Sequence, residues 1–228
     1  MLGTFVVLYL FLGGCGAGTL LVTTAWSLLF HCTKSRTFRQ SRAFWGLAGK
    51  LYLASFGLLA LSAFCLLADL GSPHRFFLLF LRPTVSLLSV GSFVLLASLL
   101  VSACVAAAHV LGWPLSSMAR KGLEVLGALL AAVLMVYTGL YLAWMEAVPL
   151  WNNAALPALL ALSSRSAGSA LVLLLAPFGR DWALLAGWVD GLHRVHLITL
   201  GLEFVALAAF IVLAAANLFA GPGLAQLI

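Results

Sequence analysis

The run TFVVLYLFLGGCGAGTLLVTTAWSLLFH, from Thr4 to His31, contains no Asp, Glu, Lys or Arg. A helix rises 1.5 Å per residue, so the run is long enough to cross about 30 Å of hydrocarbon. A transmembrane barrel strand needs only about ten residues. No water reaches the core of a bilayer, so only helices and closed barrels span it, and the length of this run selects the helix. No basic segment precedes it, and it is too long for the apolar region of a cleavable signal, so it reads as a retained first helix.

Working outward, five more runs of the same kind follow. The predicted spans are 4–31, 45–69, 85–111, 122–147, 154–178 and 194–219. Of 228 residues, 64% are hydrophobic and 8% charged, and the mean hydropathy is +1.16. A soluble domain is about 45–50% apolar and about 25% charged. The sequence therefore predicts an all-α integral membrane protein, a six-transmembrane-helix bundle forming a single membrane domain over residues 1–228. The segment Ala183–Leu192, with Trp188 and Asp190, is too short to cross and reads as an interfacial turn or helix. Gly14 and Gly18 form a GxxxG in the first span, which predicts a close helix crossing.

Basic residues set the orientation. Lys34, Arg36, Arg39 and Arg42 lie in the first connection, Arg120 and Lys121 in the third, and Arg180 in the fifth with Arg194 at its end. The second and fourth hold only Arg75 and Arg82. The odd connections are expected in the cytoplasm and both termini outside it. The net charge of +6 is then cytoplasmic loop charge, not a nucleic-acid surface. Cys15, Cys32, Cys65 and Cys104 form no CxxC or CxxCH, so no iron–sulfur cluster, attached haem or other metal is expected on this chain. P-loop, GxSxG, HExxH and EF-hand patterns are missing as well.

Polar groups inside a membrane are functional candidates by default. Asp69 ends the second span and Glu146 the fourth, both at the outer face, and Trp151-Asn152-Asn153 follows Glu146. Tyr137 and Tyr141 sit one helical turn apart on the fourth span, Tyr137 about 10 Å deep. Such a cluster suits a quinone: an apolar slot for ring and tail, and a phenol or acid to hydrogen-bond a ring carbonyl. The competing reading makes these tyrosines interface anchors. Arg165 and Glu203 fall mid-span in the fifth and sixth helices, at similar depth, and are expected to pair. With His193 and His196 at the inner mouth they could form a proton relay. Two other readings stay open: a small helical-bundle transporter using Arg165 and Glu203, and a haem-b anchor using histidines at the cytoplasmic ends.

The segment Asp69-Leu-Gly-Ser-Pro-His-Arg75-Phe, then Arg82-Pro83, resembles the D-L-G-x-P-x-R-F signature of the NrfD/PsrC-like family. These are membrane subunits of polysulfide-reductase-type molybdenum oxidoreductases. The glycine-rich first span, Tyr137-Thr138-Gly139, Val148-Pro149-Leu150-Trp151-Asn152, the Ser163 to Gly168 stretch and Glu203 resemble further family segments in that order. The resemblance implies a quinone or quinol site, menaquinone or ubiquinone, near the periplasmic face, with Tyr137 in contact and Asp69, Arg75, Tyr141, Trp151 and Asn152 around it. It implies a docked four-cluster iron–sulfur subunit, with a molybdopterin catalytic subunit beyond. It places the chain as a multi-pass protein of a bacterial or archaeal cytoplasmic membrane, serving anaerobic electron transport. The chain departs from the pattern in three ways. The family's usual final pair of helices is not seen; the outer end of the first span has Thr4 and Tyr9 but no His or Asn; and Arg165 stands where an apolar residue is expected.

Overall fold

A computed structural model describes residues 4–33, 37–69, 87–113, 116–143, 155–179 and 182–220. Its long elements are α1 (Thr4–Cys32), α2 (Phe38–Asp69), α3 (Leu87–Val110), α4 (Ser117–Ala143), α5 (Ala155–Leu175) and α6 (Ala186–Ala220). Short 3-10 turns at Ala176–Phe178 and Trp182–Leu185 join the last two. No strand occurs among the described residues, and each of the six helices is long and apolar enough to cross a membrane.

The helices overrun the apolar spans. α2 begins at Phe38, not residue 45, and α4 at Ser117, not 122. Hydropathy marks where a helix enters hydrocarbon, not where its backbone bonding starts. Arg39, Arg42 and Lys121 are good helix formers whose side chains are exposed, and Arg120 lays its guanidinium over the Trp45 ring. The segment expected as a separate interfacial element, Ala183–Leu192, is corrected for the same reason. Its first residues belong to the 3-10 turn, and Ala186 onward is the start of α6. No proline interrupts that stretch, so nothing breaks the helix. Gly112, at φ +65°, turns the chain out of α3 in the left-handed conformation.

Lipid is as apolar as leucine, so helices in a membrane associate through close packing and hydrogen bonds. α1 is the central helix, packed along α2, α4 and α5; α3 lies between α2 and α4, and α6 packs on α5 at the outside. α2 is antiparallel to α1, held by Ser55 Oγ donating to the Gly16 carbonyl (3.0 Å) and Ser62 Oγ donating to that of Tyr9 (2.8 Å). The GxxxG crossing is to α5. A Cβ on Gly14 would meet Ser164 Oγ at 2.6 Å, one on Gly18 would strike the Ser164 carbonyl, and Gly168 lies against the backbone of Gly18 and Thr19. At the end of the bundle where α1 finishes, Phe30 stacks on Phe44 (4.2 Å) and meets Trp188 (5.4 Å), with Trp26 edge-on to Phe44 (5.5 Å). This cluster ties the start of α6 to α1 and α2. Below, the two ends are called the Asp69 end and the Cys32 end.

Candidate functional site

On α4, Tyr137, Thr138 and Gly139 each meet a different neighbour. The Tyr137 ring lies directly over Gly91 of α3, where a Cβ would collide with the ring and its hydroxyl. Thr138 Oγ1 donates to the Met135 carbonyl of its own helix (2.8 Å). Gly139 admits Pro157 of α5. Tyr137 is 6% exposed, and Tyr141 packs one turn on, with ring centroids 6.0 Å apart.

Facing Tyr137 from α1 is Tyr9, 5% exposed, the two phenols close enough to act on one another. Both tyrosines line a cavity of about 10 Å³ with Gly13, Ser62, Gly91 and Ser92. That volume admits about one water and no more. Asp69, exposed at the end of α2, lies near enough for its charge to act on Tyr9 and Tyr141. Next to the cavity runs an open groove of about 290 Å³ between α1, α4 and α5, lined by Val7, Leu10, Phe11, Leu160 and Ser164. Thr138 lines both spaces.

The structure thus brings Tyr137 and Tyr141 together, with Asp69 close by. Arg75, Trp151 and Asn152, and also Glu146, lie outside the described residues. Arg165 and Glu203 are not brought together: no ion pair joins them among the described residues. Arg165 lines a cavity of about 340 Å³ with Trp26 and Trp188, between α1, α5 and α6. Glu203 lines another of about 430 Å³ with Leu159, Ser163 and Phe204. Counting residues gives depth along a helix but not the direction a side chain takes around it, and these two point into different spaces. His196 is half-buried on α6, its Nδ1 without a partner among the described residues.

Two residues of the interior escape the sequence reading. Tyr9 supplies the phenol facing Tyr137, in place of the His or Asn expected on α1. Glu124 of α4 is fully buried, near the Cys32 end. Its signal was present: Glu124, Gly127, Ala131, Leu134 and Thr138 recur at spacings of three and four, and all are buried. The acid continues the inward stripe.

Among the described residues no group of three or more His, Cys, Asp or Glu could hold a metal ion. No curated protein and no solved structure matches the chain. The family model for polysulphide reductase, NrfD, matches residues 1–223, and with its six apolar helices in one bundle the chain belongs to the NrfD family of membrane subunits of oxidoreductase complexes.

Proposed function

We propose that this chain binds quinone and quinol at the Asp69 end and passes electrons between the quinone pool and an iron–sulfur partner subunit docked there. A molybdopterin subunit would lie beyond that partner. The observation that carries the reading is the tyrosine pair. Tyr9 and Tyr137 are both buried and line one small cavity, beside an apolar groove of about 290 Å³. Two phenols that meet share one acceptor site between them and keep a hydroxyl proton to spare, which a ring carbonyl would accept. The small cavity fits a carbonyl oxygen or a water, not a ring; the groove fits the ring and the start of an isoprenoid tail.

A bound quinol would supply two electrons and two protons. Tyr137, fixed over Gly91, would orient the ring through its hydroxyl. Asp69, exposed at the helix end, would pass the released protons to water. The basic connections at the Cys32 end support a cytoplasmic location for that end, which puts the Asp69 end outside the cytoplasmic membrane of a bacterium or archaeon. Glu203, Arg165 and His196 are proposed as carriers of any proton taken up across the membrane; unchanged uptake in Glu203→Gln would remove them from the proposal.

The test is photolabelling with an azido-quinone analogue in solubilised membranes. Label is expected on the peptides carrying Tyr9 and Tyr137, with loss in Tyr137→Phe and Asp69→Asn while the chain still purifies folded. Label confined to α6, or undiminished in both variants, would overturn the site. Solute flux through liposomes holding this chain alone would point to a transporter.

A further inference from the structure

We propose that Glu124 is a proton-binding site, filled from the Cys32 end of the bundle through Ser27 and His31. This site is separate from the tyrosine cavity and does not rest on the quinone reading.

Glu124 sits among α1, α2, α3 and α4 with no exposed surface. Its Oε1 accepts a hydrogen bond from Ser27 Oγ of α1 at 2.8 Å and lies 3.5 Å from the Tyr52 hydroxyl of α2. Its Oε2 has no partner among the described residues. A carboxylate kept for structure would have donors on both oxygens, because a buried charge is stable only when paired and hydrogen-bonded. Helix packing does not require an acid either; the next positions of the same stripe, Gly127 and Ala131, do that work without a polar atom. An acid held on one oxygen and open on the other is built to change its proton count.

The route to water is short. His31 is half-buried in the last turn of α1, with exposed Cys32 beside it. Its Nδ1 lies 2.6 Å from the Ser27 carbonyl and 3.4 Å from Ser27 Oγ. In the proposed step, His31 gives its Nδ1 proton to Ser27 Oγ while Ser27 gives its hydroxyl proton to Glu124 Oε1, and the ring takes a replacement proton at Nε2 from water. The ring then loses the Nε2 proton to water and regains one at Nδ1, which restores its bond to the Ser27 carbonyl. The net change is one proton moved from water to the carboxylate, with no electron transferred.

The titratable and charged groups around Glu124 come from every helix packed on it. They are His31 from α1, Tyr52 from α2, His109 from α3 and Arg120 one turn earlier on α4; the charges of Glu124, Arg120 and His31 all act on the His109 ring. α5 carries only Arg165, which lines a different cavity. His109 is fixed in place: its ring stacks on Trp45 (4.8 Å), lies 5.1 Å from Tyr52, and its Nδ1 is bonded to the Val105 carbonyl (2.9 Å). Arg120 lies over the other ring contact of this group, 4.1 Å from the Trp45 centroid.

The test is infrared difference spectroscopy of the full chain, purified without quinone or partner, as pH is stepped in H₂O and D₂O. A carboxylic-acid C=O band that grows as pH falls is expected in the wild type. It should be absent in Glu124→Gln, which keeps the Ser27 bond, and return at a shifted frequency in Glu124→Asp. In Ser27→Ala, deuterium exchange of the band should slow about tenfold or more, as for loss of a positioned proton-transfer group. Identical difference spectra in wild type and Glu124→Gln would overturn the site. Should Glu124→Gln fail to fold, Ser27→Ala still decides, since a band exchanging at the wild-type rate would overturn the route. Quinone labelling at Tyr137 is indifferent to either outcome.

Discussion

Adding one methyl group at Gly91 should test how the tyrosine pair is held. In the interior of a helix, replacing glycine with alanine normally stabilises by about 0.5–1 kcal/mol. Gly57, on the exposed side of α2 with nothing within 4 Å of where a Cβ would stand, should show that gain. At Gly91 the new Cβ would land on the Tyr137 ring and hydroxyl. Overpacking of this kind costs about 1–3 kcal/mol, so the net effect should change sign, to a loss of about 1–2 kcal/mol. The ring is 6% exposed and the cavity it lines, about 10 Å³, is too small to take a ring, so its hydroxyl must shift. A displacement of about 1 Å in a positioning group can lower activity about 100-fold. Tyr137→Ala alone should cost about 3 kcal/mol. In the double variant the methyl group occupies the space the ring vacates, so the clash disappears and the helix gain returns. The cycle should therefore show a coupling of about 1–3 kcal/mol between the two sites. Reversible unfolding in mixed micelles measures all four forms, with azido-quinone labelling of each as a parallel readout. Gly91→Ala stabilising as Gly57→Ala does, or a cycle that is simply additive, would refute the packing of Tyr137 on α3.

Three further outcomes follow from the same packing. Gly168→Ala should cost more than Gly91→Ala, about 3 kcal/mol, since its Cβ meets the backbone of Gly18 and Thr19 and backbone cannot rotate away; the same unfolding assay measures it. Ser55→Ala and Ser62→Ala each remove one hydrogen bond between α1 and α2 and should cost about 0.6 kcal/mol apiece, adding in the double variant. Reporter fusions after Thr33 and after Trp113 should both be cytoplasmic and one after Ala143 external, the pattern set by the basic connections; the reverse pattern would move the tyrosine cavity to the inner face and remove the orientation from the proposal.

The number of helices was legible because bilayer thickness imposes itself directly on the length of an apolar run. A close crossing on α1 was legible because Gly14 and Gly18 leave a gap that only a close backbone can fill, but its partner, α5, was not. The place of Tyr137 beside Tyr141 on the fourth helix was legible from their one-turn spacing. Less visible was everything that depends on azimuth. Arg165 and Glu203 matched in depth, yet they line different cavities. Glu124 lies early in its span, where a charge is easily counted as a flank, and only the three-and-four spacing of the stripe it shares with Gly127 and Ala131 shows that it faces inward. Tyr9 was discounted for not being His or Asn, although a phenol offers the same donor at the same place. Helix ends were misplaced wherever a helix continued past the hydrocarbon into charged turns, as at Phe38, Ser117 and Ala186.

Buried hydroxyls are common in this interior, and their partners separate packing from chemistry. Thr24, Ser92, Ser102, Thr138 and Ser169 each donate to a carbonyl three or four residues back on their own helix, the ordinary way a hydroxyl is satisfied inside a membrane helix. Ser55 and Ser62 donate across to α1 and join helices. Thr23 and Ser98 have no partner among the described residues, so each holds an open position for a donor or acceptor. Ser27 differs from all of these, because its proton is aimed at an ionisable group. If polar residues served only to join helices, hydroxyls bonded to carbonyls would be enough and Glu124 would have no place. The acid lies on the same inward stripe of α4 that ends at Thr138, next to Tyr137 and the groove. One helix face therefore runs from a buried carboxyl near the Cys32 end to the phenol pair near the Asp69 end, and helices α1–α4 hold both, while α5 packs along α1 and α4 and carries α6.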